Sequence, residues 1–148
     1  MTTAETTITN RRGDVARVSR LVSELATAHL LSPGVVADVQ VALDEVLTNI
    51  ISYAYADDRI HQIRVRLTVA SDVFEAEVED DGQPFNPLTV PSPNLGASLR
   101  ERSVGGLGIH FVKGLMSDVA YARIDDRNRL ILKKRLTGGT EADARGSA

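Results

Sequence analysis

Two runs of strand length between Gln62 and Glu79 alternate with period two. Ile63, Val65, Leu67 and Val69 alternate with Gln62, Arg64, Arg66 and Thr68. After a turn at Ala70-Ser71-Asp72, Phe74, Ala76 and Val78 alternate with Val73, Glu75, Glu77 and Glu79. Side chains alternate across a strand, so this pattern predicts an antiparallel hairpin with one apolar face and one wet face. The arginines of one strand and the glutamates of the other share the wet face, where cross-strand pairing is natural. The apolar face needs a second layer to cover it.

The preceding residues can supply that layer. Thr6–Thr9 reads as a short first strand. From Asp14, taken as a cap, to about His29, apolar residues at Val15, Val18, Leu21, Val22, Leu25 and Ala28 predict a helix. "LSPGVV" interrupts it, and Ser32 before Pro33 predicts the start of a longer helix reaching about Tyr55. Val39, Leu43, Val46, Leu47, Ile50 and Ala54 form its core stripe. Further on, "DVAYARI" and "RLILKKRL", joined across residues 125–128, predict a second hairpin. Between Gln83 and Val104 the sequence is irregular, and a connection of that length in a compact domain is commonly functional, often a lid. Residues 1–137 read as one domain, and 138–148, polar and rich in small residues, as a disordered tail.

Composition excludes several classes. The 148 residues suit a single domain, and 43% hydrophobic with 25% charged residues is ordinary for a globular protein. A net charge of −3 gives no reason to expect direct nucleic-acid binding. Without cysteine there is no disulfide, thiolate metal site or cysteine nucleophile. His29, His61 and His110 lie too far apart for metal-ligand spacing. No apolar run approaches the roughly 20 residues of a membrane span, and "MTTAETTITNRRGD" lacks the apolar region of a signal peptide. The expected location is the cytoplasm, away from membranes.

Three constellations could carry chemistry. In "VEDDGQPFNP", parity puts Asp80 on the apolar face with Phe74, Ala76 and Val78, while Glu79 and Asp81 belong to the wet one. A carboxylate on the core side is costly unless something donates hydrogen bonds to it. Gly82 leaves room beside it for a ligand, although a strand-end aspartate capping its own turn fits equally well. On the long helix, Glu45 and Asn49 are four apart and share a face away from the core stripe. They offer oxygen ligands or a proton acceptor, or form a solvated polar face. Gly105-Gly106-Leu107-Gly108 opens a short helix, where exposed N–H groups and the helix dipole suit an anion such as phosphate, or where the glycines form a flexible turn.

The order is more specific than any member: E-x-x-x-N on a helix, D-x-G after a strand, a long loop, then GGLG before a helix. In that order the chain resembles the ATP-binding domains of the gyrase, Hsp90, histidine kinase and MutL superfamily, over about residues 8 to 136. With "DDGQPFNP" and "GGLGIHFVKGLMSDVAY" it most resembles the anti-sigma-factor serine kinases of the RsbW and SpoIIAB type.

The resemblance implies a fold: an α/β (α+β) two-layer sandwich of the Bergerat type, with a mixed, mostly antiparallel sheet and helices on one face. It implies ATP and Mg²⁺ as cofactors. Asp80 would accept from the adenine amino group, Asn49 would hold Mg²⁺, and Glu45 would be the general base. Gly82 would flank the adenine, and Gly105, Gly106, Leu107 and Gly108 would cradle phosphate. Many relatives have a second glycine where this chain has Pro84. The implied activity is phosphorylation of a serine on an anti-sigma-factor antagonist, a STAS-type protein, alternating with sequestration of a sigma factor; a homodimer is one open assembly. The rival readings are a nucleotide-switched binding module without kinase activity and a histidine-kinase-like ATPase domain.

Overall fold

The computed structural model describes residues 1–86 and 106–136, with the backbone alone at 106–109 and 111. The lid expected at Leu88–Val104, Gly105 and the tail from Gly138 lie outside the described residues. The elements are β1 (Thr2–Thr9), a 3-10 turn (Arg12–Asp14), α1 (Val15–Ala28), α2 (Pro33–Tyr53), β2 (Gln62–Val69), β3 (Val73–Asp80), α3 (Gly106–Leu115), β4 (Asp118–Ile124) and β5 (Arg127–Arg135). The strands form one sheet in the order β1-β2-β3-β5-β4. Every pairing among the described residues is antiparallel, where the sequence left room for a mixed sheet.

The expected stripes form the core. Val18, Val22 and Leu25 of α1 and Val39, Leu43, Val46, Leu47 and Ile50 of α2 are buried. They cluster with Ile63, Val65, Leu67, Val69, Phe74, Ala76 and Val78 of the sheet. Ser32 caps α2 as expected: its Oγ accepts from the Val35 N–H at 3.3 Å, and Pro33 opens the first turn. The helix ends at Tyr53, two residues short of the expected end.

Two local expectations give way to tertiary contacts. Strand β1 begins at Thr2 and not Thr6, because its whole length pairs with β2, from Thr2 opposite Val69 to Thr9 opposite Gln62. Asp14 does not cap α1; its Oδ2 accepts from the Thr9 N–H at 3.0 Å and the Thr9 hydroxyl at 2.7 Å, tying β1 to the helix. That hydroxyl bond is the main reason its carboxyl titrates below the usual range. Asp125 and Asp126, with φ of 53° and 61°, make the two-residue turn between β4 and β5.

The sheet's other face carries charges, as the alternation predicts, but the pairing runs further. Arg64 and Arg129 each approach Glu79 at 3.1 Å, and Arg66 and Arg129 approach Glu77 at 3.6 and 3.4 Å. Glu79, expected to be exposed, is only 9% exposed because arginines of β2 and β5 close over it from both sides. On the covered side, Lys134 of β5 donates to Asp38 of α2 at 2.8 Å and to the Leu115 carbonyl at the end of α3, tying both helices to the sheet.

Leu47, fully buried, tests the core. Leu47→Ala is expected to cost about 2–5 kcal/mol in denaturant unfolding, whereas Val41→Ala, on the exposed side of the same helix, should stay within about 0.5 kcal/mol. Equal effects would mean that α2 buries a different face.

Candidate functional site

The apolar face of β3 ends on a charge. Asp80 is 2% exposed and lies opposite Ile63 of β2 and Asn128 of β5. Its Oδ1 accepts from the Gly82 N–H and from the Asn128 side-chain amide, both at 2.9 Å. Among the described residues no donor reaches Oδ2. Burial pushes the carboxyl above the ordinary aspartate range; the Asn128 and Gly82 bonds and the Arg123 cation oppose the rise, and Asp81 adds to it.

The loop after β3 is pinned to the end of α2. Gln83 N–H donates to the Ala54 carbonyl at 2.8 Å, and the Gln83 side chain donates to the Tyr53 carbonyl at 3.1 Å. A Cβ on Gly82 would press against the Ala54 carbonyl oxygen and lie 2.8 Å from the Ala54 Cβ. The space that a side chain at Gly82 would fill is occupied by the end of α2.

Asp80 shares a cavity with Val46, Asn49, Ile50, Phe85, Tyr121, Asn128 and Leu130. Asn49 was expected on a polar face away from the core, yet it is 7% exposed, and Ala42 on the same side is fully buried. Asn49 faces Asp80, Phe85, Tyr121 and Leu130 across the cavity, and α3 also packs against α2. The Asn49 carboxamide has no hydrogen-bond partner among the described residues. Glu45, half-buried, lines a different space: a groove of about 290 Å³ between α1 and α2, with Val15, Ser19, Val41 and Asp44. The structure joins Asp80 with Asn49 in one cavity, while Glu45, one turn before Asn49 on α2, lines the groove against α1. Gly106, Leu107 and Gly108 form the first turn of α3, as expected; Gly105 lies outside the described residues.

A second polar cluster flanks Asp80. His61 is held between Asp57, at 2.7 Å from Nε2, and Asp81, at 3.4 Å from Nδ1, and stacks on Tyr55 with ring centroids 4.2 Å apart. The Asp57 bond is the main cause raising the His61 pKa, with the charges of Asp57 and Asp81 adding to it. The Tyr55 hydroxyl is buried without a partner among the described residues, and burial, reinforced by Asp80 and Asp81, raises its pKa.

The profile of the histidine kinase-like ATPase domain matches residues 8–134, a span containing all of these groups. The chain belongs to that family. Among curated relatives of this ATPase-family chain, the serine/threonine-protein kinase BtrW of Bordetella bronchiseptica is 30% identical over 89 residues, covering 60% of this chain and 63% of BtrW. The serine-protein kinase RsbW of Bacillus subtilis is 29% identical over 89 residues, covering 57% of this chain and 55% of RsbW. The matched region is thus less than two thirds of either relative's own length. A Mycobacterium tuberculosis structure of RsbU and RsbW domains superposes with a TM-score of 0.66 at 17% identity, over 92% of this chain and 33% of that one. The likeness supports the fold.

The family implies a nucleotide, and the chemistry of these residues suits one; the space they enclose, about 10 Å³, has to open to admit it. The Asn49 carboxamide lines the cavity with its hydrogen-bonding groups open to a ligand. The Asp80 carboxylate offers a free acceptor to an N–H group in the same space. Mg²⁺ commonly takes few protein oxygens and keeps water and phosphate for the rest, so the Asn49 carbonyl oxygen suffices as a protein ligand. Among the described residues no cluster of three or more His, Asp or Glu could hold a metal by itself.

Sequence reasoning missed Asn128, Tyr121, Arg123 and Phe85. The one signal for Asn128 was a lone amide following a turn, directly across from Asp80 once β3 and β5 are paired.

The contact with Ala54 makes Gly82 a sharp test. Gly82→Ala is expected to destabilise the fold by about 1–3 kcal/mol or more by thermal unfolding. Gly13→Ala, with nothing within 4 Å of the added atom, should change stability far less. A harmless Gly82→Ala would show that the loop does not seat on α2.

Proposed function

We propose that this domain binds ATP with Mg²⁺ in the cavity of Asp80 and Asn49 and is a protein serine kinase. Its substrate is a serine on an anti-sigma-factor antagonist of the STAS type, and it alternates this reaction with sequestration of a sigma factor. One observation supports the nucleotide reading above the rest: two buried polar groups without full partners, the Asp80 carboxylate and the Asn49 carboxamide, line one cavity. The curated relatives' names favour serine kinase over histidine kinase, and another structural neighbour, the SiaB–SiaC complex of Pseudomonas aeruginosa, is a protein assembly with a TM-score of 0.53.

In this reading Asp80 accepts from the adenine amine. Asn49 supplies an oxygen to Mg²⁺, which when bound would neutralise phosphate charge. The first turn of α3, Gly106, Leu107 and Gly108, offers N–H groups to phosphate, and the same role is proposed for Gly105, which lies outside the described residues. Gly82 holds the Asp80 loop against α2 and flanks the base. Glu45 takes the proton of the substrate hydroxyl. The setting is the cytoplasm; among the described residues no helix is long and apolar enough to cross a membrane.

A second reading, a nucleotide-switched binding module without kinase activity, is favoured by Glu45 lying in the groove between α1 and α2, apart from Asp80 and Asn49.

Single-turnover phosphorylation of the antagonist, beside a binding isotherm for each variant, decides between them. With a kinase, Glu45→Ala keeps ATP and partner binding and loses about 10²–10⁴-fold in rate. Asn49→Ala weakens Mg²⁺-dependent nucleotide binding as well. A wild type that binds the antagonist and ATP without transferring phosphate supports the binding module. Undiminished transfer in Glu45→Ala removes Glu45 as the base.

A further inference from the structure

We propose that Asn128 is the residue that makes the site selective for a base carrying an exocyclic amine: it occupies one oxygen of Asp80 and leaves the other as a lone acceptor. The proposal rests on the adenine-nucleotide reading above and assigns its specificity to a residue that does not itself read the base.

Both amide hydrogens of Asn128 are committed, one to Asp80 Oδ1 at 2.9 Å and one to the Gln83 carbonyl at 2.8 Å. Its carbonyl oxygen accepts from the Tyr121 hydroxyl at 2.5 Å, the Phe85 N–H at 3.2 Å and Arg123 at 3.1 Å. Turning the amide over would set its NH₂ against three donors and its oxygen against two acceptors, so the orientation is fixed by its partners. At 4% exposure, with its hydrogen-bonding groups used, Asn128 has little left to offer a ligand.

Its effect passes through Asp80. The Asn128 amide and the Gly82 N–H together occupy Oδ1 and restrain rotation of the carboxylate. Oδ2 then faces a ligand as an acceptor alone, which suits an amine and disfavours a keto oxygen. Arg123, which also donates to the Gly82 carbonyl at 2.8 Å, brings a positive charge beside the group. Asp81 and Tyr55 are the other titratable groups coupled to Asp80, and burial and Asp81 both favour its protonation. Without the Asn128 donor the carboxyl would rotate more freely and hold its proton to higher pH. A protonated Oδ2 would present a hydroxyl donor in place of an acceptor.

The test is calorimetric titration, from pH 5 to 8, of the wild type, Asn128→Ala and Tyr121→Phe with ATP and with purine riboside triphosphate, which lacks the exocyclic amine. The wild type should bind ATP about tenfold or more tighter than the analogue, the worth of one hydrogen bond to a charged group. Asn128→Ala should lose about tenfold toward ATP while its affinity for the analogue stays within about threefold, so the preference collapses. Its ATP binding should also fail at higher pH than in the wild type, because loss of the donor raises the Asp80 pKa. Tyr121→Phe, which keeps the ring, should move the preference the same way by about threefold, and carries the test if Asn128→Ala does not fold. Equal weakening toward both nucleotides, with the preference intact, would reduce Asn128 to a prop for the loop and overturn the proposal. A wild type that binds both nucleotides equally would overturn base reading by Asp80, and this proposal with it. A wild type that binds neither would overturn the nucleotide site itself.

Discussion

A negative charge sits on the covered face of an antiparallel sheet, and much of the local structure is arranged to keep it there. Asp80 ends a run of Phe74, Ala76 and Val78, so its carboxylate lies where the neighbouring side chains are apolar. An unpaired carboxylate in such a place would take up a proton or unfold its surroundings. Here a backbone N–H, a side-chain amide and a nearby guanidinium share the load, and they come from the following loop, from β5 and from β4. Asn128, which holds Asp80, also bonds the loop at Gln83 and Phe85, and Gln83 ties that loop to the end of α2. Stability and the candidate site are therefore coupled through a few atoms.

The opposite face solves the problem of charge differently. Glu77 and Glu79 stand among Arg64, Arg66 and Arg129, with donors and acceptors paired along three strands. Most of these pairs are partly open to water, where each contributes little to stability, about 0–1 kcal/mol. Their clearer consequence is registry: Glu77 and Glu79 of β3 each meet arginines on both neighbours, which opposes a slip of one residue. The two faces of β3 thus do different work. One packs against the helices and ends in Asp80, and the other holds the strand in place.

What the sequence showed depended on how local the signal was. Strand parity needs only neighbouring residues, and it put Asp80 on the covered face. The helical stripe from Val39 to Ala54 was legible for the same reason. Three features were not legible because they arise from distant pairing. Asn128 lies 48 residues from Asp80 and matters only after β3 and β5 come together. Asn49 read as solvated because nothing in the periodicity of α2 reveals that Phe85, Tyr121 and Leu130 will gather around it. Glu79 lay on the predicted face, but its burial comes from arginines on two other strands. Asp14 failed in the opposite sense: a local capping rule lost to Thr9 on the preceding strand. The glycine-rich turn entering α3 was legible from composition, and its first turn is helical as expected.

The central claim is that Asp80 and Asn49 together receive an adenine nucleotide. Structure determination of the chain with Mg²⁺ and ADP tests it most directly. The expected result puts the exocyclic amine within hydrogen-bond distance, about 2.7–3.2 Å, of Asp80 Oδ2, with Mg²⁺ on the Asn49 carbonyl oxygen and the Asn128 bond to Asp80 Oδ1 retained. A nucleotide seated elsewhere, such as the groove between α1 and α2, with Asp80 and Asn49 untouched, would contradict it.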